Sequence, residues 1–63
     1  MKIAIDNALR KLPRRQRISF ILRHYEGCTF NDIGEIMGKT TGAAKANYHQ
    51  AGKKLKVLLK EWV

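Results

Sequence analysis

The 63-residue chain is short of the residues that staple, break or acidify a protein. Its single cysteine, Cys28, leaves no internal disulfide, and no Cys and His spacing suits zinc. One free thiol fits a reducing compartment, and the expected location is the cytoplasm. Its single proline, Pro13, is the one strong helix breaker. No apolar run approaches the roughly 20 residues of a membrane span, so no membrane partner of that kind is expected. No signal-peptide pattern is visible at the start. Nothing alternates with a period of two, which argues against a sheet. Acidic side chains are scarce: five Asp and Glu face thirteen Lys and Arg, a net charge of +8.

These shortages narrow the function classes. A chain of this size buries only about 60% of the surface its unfolded form exposes. Residues 1–63 therefore make one domain at most. It is marginal alone, or a fragment of a longer protein, or completed by a partner. A cleft and a core do not both fit, so no enzyme is expected. His24 and His49 stand far apart, and neither has a nucleophile at usable spacing. Asp32 and Glu35 share one short helix, where Asp32 suits the helix start. No cofactor and no metal are expected. The positive charge attracts polyanions. Nucleic acid is the first candidate partner, a membrane surface the second. A merely solubilising surface is the plain alternative.

What is present is helical periodicity. Ile5, Ala8, Leu9 and Leu12 form one stripe over about residues 2–11, ended by Pro13. Proline disfavours helix in the residue before it and suits the first turn of the next. A second helix is therefore predicted from near Pro13 to about Glu26. Its stripe is Ile18, Ile21, Leu22 and Tyr25, with Arg14, Arg15, Arg17 and Arg23 opposite and Gly27 as terminator. Thr29 reads as an N-cap, with Asp32 three residues on in the place of a capping-box acid. A third helix follows over about Phe30–Met37, with Phe30, Ile33 and Met37 on one face, and Gly38 stops it. Thr40 or Thr41 caps a long fourth helix running to about Glu61. Its apolar row is Ala44, Tyr48, Ala51, Leu55, Leu58, Leu59 and Trp62.

The third and fourth helices have the spacing of a helix-turn-helix. That motif needs a small residue where the helices cross, a turn residue that tolerates a left-handed backbone, and an apolar plug. Gly34, Gly38 and Ala44 stand at these places, separated by four and then six. A glycine inside a helix costs about 1 kcal/mol against alanine, so Gly34 asks for a packing reason. A generic helical hairpin with scattered glycines is the bland alternative. The expected architecture is all-α: a four-helix domain with a C-terminal helix-turn-helix and a long recognition helix.

The exposed N-terminal positions of a recognition helix enter the major groove. Here they are Thr41, Ala43, Lys45, Ala46, Asn47, His49 and Gln50. Lys45 reaches guanine edges or phosphate, and Asn47 and Gln50 each have the amide for a bidentate pair with adenine. His49 suits a base edge or a phosphate. Asn47, His49 and Gln50 read equally well as ordinary solvated helix residues. Tyr48 reads as core. A helix N-terminus presents free N–H groups to phosphate, which nominates Thr29, Phe30 and Asn31. Lys39 in the turn is a further phosphate ligand, and Lys53 a marginal one beside the solvated Lys54, Lys56 and Lys60. Arg14, Arg15 and Arg17 suit either the DNA backbone or an acidic protein partner.

The stretch "ALRKLPRRQRISFILRHYEGCTFNDIGEIMGKTTGAAKANYHQAGKKLKVLL" resembles the C-terminal domain, region 4, of extracytoplasmic-function sigma factors of the sigma-70 family. The likeness rests on Leu12-Pro13 with its basic run, on "LRHYEGCTFNDIGEIMG", on the small-residue turn, and on "GAAKANYHQA". It implies a four-helix module that binds the minus-35 promoter element as double-stranded DNA and docks on the beta flap of RNA polymerase. It also implies a separate upstream domain in the full protein, and regulation by an anti-sigma factor in many members. Where the family often has Ser-Arg and a further Arg after its Lys, this chain has Ala46, Asn47 and Gln50. Gly52 replaces a common basic residue and Gly34 a common alanine. Base contacts carried over from the family rest mainly on Lys45, Ala46, His49 and Gln50. The less basic recognition helix keeps an alternative open: a protein-interaction module for RNA polymerase or an anti-sigma factor, with little DNA affinity of its own. A response-regulator DNA-binding domain fits less well, given the long fourth helix and the Leu-Pro-basic start.

Overall fold

The computed structural model describes residues 2–60, with side chains from Ala4 onward. The chain forms four helices: α1 (Lys2–Arg10), α2 (Arg14–His24), α3 (Phe30–Met37) and α4 (Thr41–Lys60). No strand occurs among the described residues, and the fold is all-α as the periodicity predicts. Trp62, expected on the apolar row of α4, lies outside the described residues, as does Glu61.

Each boundary has a local cause. Pro13 sits at the N-cap of α2 with an extended backbone (φ −54°, ψ 147°), so the helix starts one residue later. Both halves of the predicted capping box close at α3. The Asp32 N–H donates to the Thr29 hydroxyl at 3.1 Å, and the Thr29 N–H donates to the Asp32 carboxylate at 3.3 Å. The shorter Asp thus does the work of the usual Glu. Thr40, rather than Thr41, caps α4, accepting from the Ala43 N–H at 3.0 Å. The end of α2 departs from expectation. The helix stops at His24: the Tyr25 N–H still makes a regular helical bond to the Ile21 carbonyl, but the Glu26 N–H reaches back to that same carbonyl, and Gly27 then turns left-handed (φ 71°). The Cys28 N–H then reaches back to the Leu22 carbonyl, which leaves a wide loop before α3.

α4 is the spine, packing against the other three helices. Its 20 residues span about 30 Å at 1.5 Å each, which accounts for most of the 34 Å length of the molecule. Ala8, Leu9 and Leu12 meet Ala51 and Leu55 in one cluster, with Ile5, Phe20, Ile21, Leu58 and Leu59 around it. α3 also packs on α4, and Ile33 and Ala44, one on each helix, are fully buried.

The packing face of α2 corrects the sequence expectation. Its buried residues are the polar Gln16 and Ser19, whereas Ile18, Ile21 and Leu22 are half-buried. Tyr25 is 52% exposed and lies outside the core. Ser19 is fully buried and donates to the Met37 sulfur at 3.2 Å. Its hydroxyl is thus both buried and partnered, which lets a polar residue take an inward place on α2. Periodicity marks apolar faces and is blind to such a placement.

Candidate nucleic-acid interface

The turn between α3 and α4 sets the site. Gly38 caps α3 in the left-handed conformation (φ 68°, ψ 34°), which L side chains disfavour. The chain then folds back over Gly34, and the Lys39 N–H donates to the Gly34 carbonyl at 2.7 Å. A Cβ on Gly34 would stand 2.8 Å from the Lys39 carbonyl oxygen and 3.0 Å from the Thr40 carbonyl group. The small-residue requirement is therefore met by turn backbone lying on Gly34, just before α4 begins. Ala44 plugs the joint with no exposed surface. Gly34, Gly38 and Ala44 thus take the three places the spacing assigns them.

This arrangement turns one face of α4 outward. Lys45, His49 and Lys53 follow at steps of four, opposite the buried Ala44, Ala51 and Leu55, and all three are exposed. Gly42 and Ala46 share that side, so the face is small-residued at its start and cationic along its length. Lys39 and Thr41 are exposed beside it at the turn. Such a face offers cations and a close-approach surface to a groove lined by phosphate. Ala43 and Asn47 are half-buried on the flank, which leaves Asn47 less free than its neighbours. Gln50 is exposed, but its Oε1 accepts from Gln16 Nε2 at 2.9 Å.

The start of α3 lies against the same region. The Thr41 hydroxyl donates to Asn31 Oδ1 at 3.2 Å, joining the first turns of α3 and α4. The Phe30 ring packs on Tyr48 (centroids 5.5 Å apart) and His49 (6.4 Å). Its contribution to a phosphate site would come from its backbone. The Asp32 carboxylate in the capping box stands over this N-terminus and opposes an incoming phosphate.

Three features of the site lie outside the residues that the sequence pattern nominates. Arg23 lies over the Phe30 ring, 4.7 Å from its centroid, and donates to the Cys28 carbonyl at 3.1 Å. It therefore pins the loop before α3 to a ring that backs His49. The rings of His24, Phe20 and Tyr48 form a stacked run, with centroids 5.1 and 5.6 Å apart at successive steps. Tyr48 is thus half-buried among aromatics, much as expected of a core residue. Gln16 is the third. It stands four residues after the buried Leu12 and three before Ser19, so its place on an inward helical row was the available signal.

No group of three or more His, Cys, Asp or Glu among the described residues could hold a metal ion. No described helix is long and apolar enough to cross a membrane. The family model described as Sigma-70, region 4 matches residues 2–55. No curated protein and no solved structure matches the chain.

Proposed function

The chain belongs to the sigma-70 region 4 family, and from that premise we propose that it reads the minus-35 element of promoters as duplex DNA while docked on RNA polymerase. In sigma factors, region 4 recognises that element and contacts the polymerase. The observation that carries the DNA half is the outward face of α4. The close turn over Gly34 presents Lys45, His49 and Lys53 together, with Lys39 at the turn. Lys45 and the flanking Gln50 address bases. Lys39, Lys53 and the N-terminal turn of α3 at Thr29, Phe30 and Asn31 address phosphate. Thr41, Ala43 and Ala46 give close contact, and His49 and Asn47 complete the face.

The polymerase half is supported by a separate surface. Ile36 is 62% exposed and borders a groove of about 600 Å³ with Pro13, Ile18 and Met37. Arg14, Arg15 and Lys39 rim it. An apolar floor with a cationic rim suits a protein segment carrying apolar and acidic side chains. We assign the beta flap of RNA polymerase or an anti-sigma factor to this class of contact. The sequence blocks around Pro13, Gly27 and Gly42 further support the extracytoplasmic-function subgroup. With that subgroup we also propose a cytoplasmic setting and a separate upstream domain in the full protein. The groove equally favours the second reading, in which docking is the main activity and DNA affinity is slight.

Selection of the isolated chain against a pool of random duplexes at low salt separates the two. Enrichment of a short motif, with binding that falls steeply as salt rises, is the result expected for promoter reading. Binding without enrichment would assign this chain backbone affinity only. Absence of binding would leave the protein-docking reading in possession.

A further inference from the structure

We propose that Gln16, on α2, is a positioning residue for base reading by Gln50, on α4, and that the pair makes Gln50 a specificity-determining residue. The inference rests on the DNA-reading function proposed above.

Gln16 is only 7% exposed, and its Nε2 donates to Gln50 Oε1 at 2.9 Å across 34 residues of sequence. Its own Oε1 is buried with no hydrogen-bond partner. An orphaned buried acceptor lowers stability, and an apolar side chain of the same length would avoid it. Stability alone therefore does not account for a glutamine at this place. Gln50 supplies the account. It is exposed at the flank of the outward face, one turn after Ala46 and two after Ala43, whose small side chains leave it unshadowed. A free glutamine on a helix surface samples many rotamers and loses that freedom on binding a base. Holding its amide oxygen from behind fixes the amide before the duplex arrives. That is preorganisation, which raises affinity and sharpens discrimination. One Gln50 oxygen lone pair is occupied by Gln16. The Nε2 hydrogens and the second lone pair remain, a donor beside an acceptor. That pattern matches N7 and N6–H of adenine in the major groove.

The experiment is the duplex selection repeated for three forms of the 63-residue chain: the parent, Gln16→Met and Gln50→Ala. Thermal unfolding and side-chain amide hydrogen exchange are followed alongside. The parent is expected to enrich a motif containing one base pair, with adenine preferred, whose preference vanishes in Gln50→Ala. In Gln16→Met that same preference should fall from about tenfold to less than about twofold, with the other columns kept and unfolding no earlier than in the parent. The Gln16 amide hydrogens should be protected in the parent and exposed in Gln50→Ala. A merely structural Gln16 would not move one motif column selectively. A Gln16→Met motif identical to the parent's overturns the inference and leaves promoter reading intact. Unprotected Gln16 amide hydrogens in the parent overturn it even if Gln16→Met fails to fold. A parent that enriches no motif overturns the DNA-reading premise together with this inference.

Discussion

The carbonyl oxygen of Lys39 lies 2.8 Å from the place a Cβ on Gly34 would occupy, and the Lys39 N–H is bonded to the Gly34 carbonyl at 2.7 Å. The two residues fix the angle at which α4 leaves the turn. Gly34→Ala gains about 1 kcal/mol of helix preference. It also forces backbone apart at a cost of roughly 1–3 kcal/mol. We expect a net loss of about 1 kcal/mol, read as a midpoint lowered by about 4–8 °C. A raised midpoint would show that the turn retreats freely.

The capping box separates stability from binding. Thr29→Ala should cost about 1 kcal/mol in urea unfolding. Asp32→Asn should weaken folding slightly by loss of the charged cap. It should also strengthen duplex binding at low salt, because the carboxylate no longer stands over the start of α3. Weaker duplex binding by Asp32→Asn would remove the first turn of α3 from the phosphate-contacting set.

Lys45 is exposed, so Lys45→Ala should leave the unfolding midpoint unchanged. Duplex affinity should fall. If Lys45 neutralises one phosphate, the slope of log affinity against log salt drops by about 0.9. If it reads guanine instead, one motif column flattens by roughly 1–3 kcal/mol of discrimination. Unaltered affinity and motif would show that α4 does not enter the groove by this face.

Arg23 acts through geometry that lysine lacks. Its planar guanidinium covers the Phe30 ring while donating to the Cys28 carbonyl. Arg23→Ala should destabilise by roughly 1–2 kcal/mol, combining an exposed cation–aromatic contact with one charged hydrogen bond. Arg23→Lys should recover less than half of it. Full rescue by lysine in a denaturation series would reduce the contact to its charge.

Some of this site was legible because the cues are local. Thr29 and Asp32 lie three residues apart, and a helix start brings such a pair together wherever the rest of the chain goes. Gly34, Gly38 and Ala44 share one motif-length segment, so their spacing carries their packing with it. Gln16, Ser19 and Arg23 were harder. Their partners are Gln50, Met37 and Phe30, and two of these lie well outside any local window. Tyr25 misled for the converse reason. It continues an apolar stripe in sequence, but α2 ends one residue before it, and the periodicity stops with the helix.

The sequence by itself determined an all-α chain, its breaks at Pro13 and Gly38, its caps, its cationic excess and the place of the turn. Those follow from backbone preferences and side-chain periods that act within a few residues. The tertiary structure alone decided which face of α2 is buried, that the Phe30 ring lies beneath Arg23, and that Gln50 is held from behind by Gln16. Those outcomes depend on how the helices meet one another, across the loop between α2 and α3 and at contacts between residues far apart in sequence. Close approach selects small or mutually hydrogen-bonded side chains, whatever their hydropathy.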